Sequence, residues 1–93
     1  MINEIRSKLC HAAMWEQLAE EASELSQAAS KMARWYRGEN PPAKDMGELT
    51  DNVIEEHADV DLCFTVIGWN DKEHREQVKK KKLERWVSRL EGL

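Results

Sequence analysis

A chain of 93 residues, 41% hydrophobic and 34% charged, is one domain near the small end of what folds alone. Only 4 Gly and 2 Pro, with a mean hydropathy of -0.75, exclude a disordered, collagen-like or membrane-spanning chain. The net charge of -4 conceals an asymmetry: residues 41–71 hold 8 acids against Lys44 alone, and residues 72–93 hold 8 bases against 4 acids.

Residues 1–6 lack the basic flank and apolar stretch of a signal peptide, so none is expected. A short segment over residues 5–9 either extends the first long helix or packs across its end. That helix is predicted over residues 12–37, where Leu18, Ala22, Leu25, Ala29, Met32 and Tyr36 follow a 4-3-4-3-4 spacing. A loop follows at Gly38-Glu39-Asn40-Pro41-Pro42 and runs to about Gly47, because adjacent prolines lack amide donors and clash with a preceding helical turn. The second long helix is predicted over residues 48–69, with Thr50 or Asp51 helping to start it. Its stripe is Leu49, Val53, Glu56, Val60, Cys63 and Ile67. A softer break at Gly68-Trp69-Asn70-Asp71 precedes a third helix over residues 72–90, with Val78, Leu83, Val87 and Leu90 as a sparse apolar face. The fold class is all-α: a bundle of three to four helices, completed by oligomerisation because so small a chain leaves apolar faces open.

Cys10 and Cys63 lie far apart, and with His11, His57 and His74 they match no zinc-finger spacing. Free thiols in a reducing cytoplasm are the expectation.

The anomaly is Glu56, which stands in the apolar stripe where a leucine would serve packing. A carboxylate buried there must be protonated, paired or metal-bound. Asp59 follows at i+3 on the same face, and the first helix carries Glu21 and Glu24 at the same spacing. If the two helices pack antiparallel, both pairs converge. Four carboxylates together repel, and hard divalent cations such as Mg²⁺ (or Mn²⁺ as a substitute) relieve that repulsion with oxygen ligands. Ordinary solvated glutamates would account for one such pair; two pairs at matching positions favour the metal.

Glu20-Glu21-Ala22-Ser23-Glu24 followed by Glu56-His57-Ala58-Asp59-Val60 resembles the EExxE…ExxD signature of MazG-like nucleotide pyrophosphohydrolases, all-α NTP pyrophosphatases. The likeness extends over about residues 15–90, through Asn52-Val53-Ile54-Glu55-Glu56 and Lys82-Leu83-Glu84-Arg85-Trp86. It implies a helical bundle, a homodimer or homotetramer, that hydrolyses a nucleoside triphosphate to the monophosphate and pyrophosphate. Glu21, Glu24, Glu56 and Asp59 match the magnesium ligands, and Glu20 the leading acid of the motif. The segment around residues 68–77 is shorter than the helical hairpin that relatives often carry there.

No GxxxxGK[ST] loop is present, so side chains must hold the phosphates. Lys82 and Arg85 are the candidates for phosphate contact. Lys79, Lys80 and Lys81 read better as a solvated face. Trp35 and Trp69 are candidates to stack on a base, with packing as the commoner use. Trp15 and Trp86 read as packing residues. Asn52, one turn before Glu56, is a candidate to meet a sugar or base edge. His57 points to a different face and is given no role. The competing class is a non-catalytic helical oligomer or nucleic-acid binder using the basic tail. Overall acidity and the lack of a helix-turn-helix pattern argue against it, so neither nucleic acid nor membrane is an expected partner.

Overall fold

The computed structural model describes residues 1–39 and 45–93. Its described residues form four helices and no strand: α1 Ile2–Lys8, α2 His11–Arg37, α3 Met46–Ile67 and α4 Lys72–Glu91. The all-α class and the long-helix boundaries agree with the sequence reading to within two residues. The Pro41-Pro42 turn lies outside the described residues.

Each long helix ends where its sequence allows. Gly38 takes φ 69°, and the N–H groups of Gly38 and Glu39 return to the carbonyls of Trp35 and Arg34 at 3.2 Å. That left-handed turn closes α2. At the start of α3 the cap is Asp45, whose carboxylate accepts from the Glu48 N–H at 2.9 Å, rather than Thr50 or Asp51. The helix therefore begins earlier than expected, at Met46, with Gly47 tolerated in its first turn. α3 closes at Gly68, φ 77°.

α2 and α3 pack antiparallel. Trp15, near the start of α2, meets Trp69, just past α3, edge to face at 5.5 Å. The stripe on α3 is as expected: Leu49 is buried, and Val53, Glu56, Val60, Cys63 and Ile67 are half-buried; Val66, outside that stripe, is buried as well. On α2 the face is rotated. Leu18, Leu25 and Met32 turn toward α3, but the positions between them are Glu21 and Ala28, not Ala22 and Ala29. Tyr36 is 70% exposed. Both phases share Leu18, Leu25 and Met32. The observed one also buries Met14 and Ala28. Its consequence is that Glu21, like Glu56, stands within the apolar stripe.

α1 crosses the end of α3 rather than extending α2. Arg6 donates from Nε to the Val66 carbonyl at 2.8 Å and from Nη2 to the Thr65 carbonyl at 2.9 Å. The last turn of α3 contains no basic residue, so Arg6 supplies the cation that a helix C-terminus favours. Arg6→Ala should lower the melting temperature by about 4–8 °C, the equivalent of about 1 kcal/mol in a domain of this size. Thermal unfolding followed by circular dichroism checks it; an unchanged midpoint would show that the two bonds are energetically idle.

α4 stands apart: none of its Cα atoms comes within 8 Å of α1, α2 or α3. Trp86, expected to pack, is 64% exposed, and Leu83, Val87 and Leu90 are open as well. Val78 is half-buried but lies about 140° around the helix from Leu83, so it does not belong to their stripe. No described helix is long and apolar enough to cross a membrane.

Candidate metal centre

The antiparallel pairing brings the eleventh and fourteenth residues of both helices together at one place. One carboxylate oxygen from each of Glu21, Glu24, Glu56 and Asp59 can be chosen so that all four lie within 4.8 Å of one another. Glu21 and Glu24 come from adjacent turns of α2, and Glu56 and Asp59 from adjacent turns of α3. Glu21, Glu56 and Asp59 are half-buried and Glu24 is exposed, so the cluster opens to solvent on one side.

Its hydrogen bonding is incomplete. Gln17, one turn before Glu21, donates from Nε2 to Glu21 Oε1 at 2.9 Å. Glu21 Oε2 and Glu56 Oε2 are buried and have no hydrogen-bond partner among the described residues. No ion pair joins any of the four to a basic residue among the described residues. Burial, followed by the neighbouring Glu24 and Asp59 charges, holds the Glu21 carboxyl above its ordinary range. Glu24 is raised as well, first by the charge on Glu56 and then by desolvation. Two orphaned buried oxygens and an all-oxygen donor set suit a hard cation such as Mg²⁺ or Mn²⁺.

Beside the carboxylates lies a cavity of about 170 Å³. Ile5 from α1, Leu9 just past its end, Met14 from α2, and Leu62 and Val66 from α3 give it apolar walls, and Glu21 and Asp59 line it too. Cys63 also lines it, and burial, then Glu21 and Asp59, push its thiol upward, which keeps it neutral. Sequence reasoning missed Gln17 and the part of α1. The i,i+4 spacing of Gln17 and Glu21 was a usable signal for the first; nothing in the sequence placed Ile5 beside Asp59.

The other candidates disperse. Glu20 is exposed and stays outside the cluster, though it adds the smallest contribution to raising Glu24. Asn52 is half-buried one turn before Glu56 and shares its face. Trp35 lies eleven residues beyond Glu24 on α2, roughly 16 Å along the helix axis, and packs edge-on to Tyr36 at 5.3 Å. Lys82 and Arg85 ride on α4, away from the carboxylates of their own chain.

Comparison with known proteins adds no relative: no family model, no curated protein and no solved structure matches this chain.

Proposed function

We propose that this chain is a divalent-metal-dependent nucleoside triphosphate pyrophosphohydrolase of the MazG-like kind, acting as a homo-oligomer in a reducing cytoplasm. The observation that carries the reading is the convergence of the EExxE and ExxD carboxylates, with two buried oxygens left unpartnered. Glu21, Glu24, Glu56 and Asp59 would hold Mg²⁺, with Mn²⁺ as a substitute. When bound, the metal neutralises the carboxylates, binds phosphate oxygens and lowers the pKa of a coordinated water.

The protein's own contribution is positioning. Gln17 fixes the orientation of Glu21. The stiffness of two packed helices sets the separation of the carboxylate pairs, which is where most of the catalytic advantage in such reactions resides. The apolar cavity beside Glu21 and Asp59 gives the non-phosphate part of a nucleotide a water-poor wall. Lys82 and Arg85 can meet phosphates only when another copy brings α4 to the site. Water adds to phosphorus, the bond to the α–β bridging oxygen breaks, and pyrophosphate leaves with the monophosphate as the second product.

Incubating the protein with a panel of ribo- and deoxynucleoside triphosphates tests this. Pyrophosphate and a monophosphate should appear with Mg²⁺ and vanish with a chelator. Orthophosphate with a diphosphate, or metal-independent turnover, would sink the reading. The exposed basic α4 supports one other class, a nucleic-acid binder. Its sign would be salt-dependent duplex binding without any turnover.

A further inference from the structure

We propose that α4 is an assembly arm that docks, in trans, on the outer face of α3 in a second copy of the chain. Leu83, Trp86, Val87 and Leu90 sit at i, i+3, i+4 and i+7, one continuous stripe. All four are open to solvent, at 45–64% exposure. Lys79 and Lys80 stand beside this stripe, and a surface depression there is lined by Glu76, Lys79, Lys80, Lys82, Leu83 and Trp86, with Lys79 paired to Glu76 at 3.4 Å. The helix carries 8 bases against 4 acids.

The complementary surface is on α3. Ile54 and Leu62 are exposed at 60% and 53%, and with Ala58 they make an i, i+4, i+8 ridge that points away from α2 at Ile54 and ends at Leu62, on the rim of the cavity beside α1. Asp51 and Glu55 border the ridge on one side and Asp61 on the other. The whole of α3 carries 6 acids and no lysine or arginine. The ridge is about 12 Å long and the α4 stripe about 10 Å, so the two match in length. The outer side of α2 carries the exposed polar residues Glu16, Glu20, Ser23, Gln27 and Arg34, and no comparable ridge.

The surface area says how much is left to cover. The chain exposes 7739 Å², where a compact protein of 10.8 kDa exposes roughly 5,500 Å². Its radius of gyration is 17.0 Å, against about 12 Å for a compact chain of this length. The excess of about 2,200 Å² exceeds the roughly 800 Å² that each partner gives to a standard interface. A second copy supplies both halves of the match at once, stripe to ridge and ridge to stripe, as two-fold symmetry requires.

The inference rests on the homo-oligomer of the functional reading but not on its metal, so the test uses chelator and no nucleotide. Sedimentation equilibrium of the full chain should give at least twice the 10.8 kDa chain mass. Leu83→Asp with Leu90→Asp should reduce it to one chain mass, with the helical content of α1–α3 retained because α4 does not touch them. Lys79→Glu with Lys80→Glu should weaken assembly tenfold or more, as should Glu55→Lys with Asp61→Lys. Mixing these two charge-reversed proteins should restore a heterodimer. A monomeric wild type overturns the proposal. So does an assembly indifferent to the Leu83 and Leu90 changes or to the charge reversals, or a mixture that stays monomeric.

Discussion

Glu56→Gln should reduce Mg²⁺-dependent nucleotide turnover at least about a hundredfold, since losing even a partner behind a metal ligand costs about ten- to a hundredfold. At the same time the metal-free protein should become more stable, melting several degrees higher. Glu56 has an unpartnered buried oxygen, and its charge is the leading cause of the raised Glu24 carboxyl. Glutamine keeps the shape, removes that charge and can donate to a neighbouring carboxylate. The metal-induced rise in melting temperature should shrink in parallel, because stabilisation by linkage follows affinity. A structural Glu56 paired with a base would give the opposite sign, because the substitution would strand the partner charge. Differential scanning calorimetry with and without Mg²⁺ reads both effects in one series. A lower apo melting point with turnover intact would remove Glu56 from the site.

Metal stabilisation should also depend steeply on pH. Glu21 and Glu24 both titrate above their ordinary range in the folded chain, so the folded state holds protons that the unfolded state has released. Their contribution to apo stability is therefore fully present below the ordinary carboxylate range. It is lost as pH rises through the raised folded values. The metal runs the other way, because it binds the ionised carboxylates and must displace those protons. The melting-temperature gain from millimolar Mg²⁺ should be near zero at the acid end, grow across that window and level off above it. Glu21→Gln with Glu24→Gln should flatten both the apo decline and the metal gain. A gain independent of pH, or one unchanged in that variant, would place the cation elsewhere.

The helices themselves were legible because their signals are local. Gly38 and Gly68 mark two helix ends by conformation alone, and the 3.6-residue period runs through both long helices without interruption. Glu56 was legible as a misfit, a charge where the stripe required a leucine. Glu21 was recognised as one of a pair, but its place within the stripe was not. Leu18, Leu25 and Met32 are compatible with either helix phase, and only packing against α3 chooses between them. The separation of α4 could not be read from periodicity, which shows that an apolar stripe exists but not which surface it meets. Arg6 illustrates the same limit: its charge was visible, but its bonds to Val66 and Thr65 span about sixty residues of chain. Lys82 and Arg85 were chosen for charge and motif position, and neither property fixes where α4 goes.

The central claim is that two pairs of carboxylates on α2 and α3 form one divalent-cation site. A calorimetric titration of the chelator-stripped protein with Mn²⁺, beside Glu21→Gln with Glu56→Gln, tests it most directly. The wild type should bind saturably at millimolar or lower concentration, and the variant should lose that binding while remaining folded and melting higher without metal. Binding of equal strength in both proteins, or none in the wild type, would contradict it.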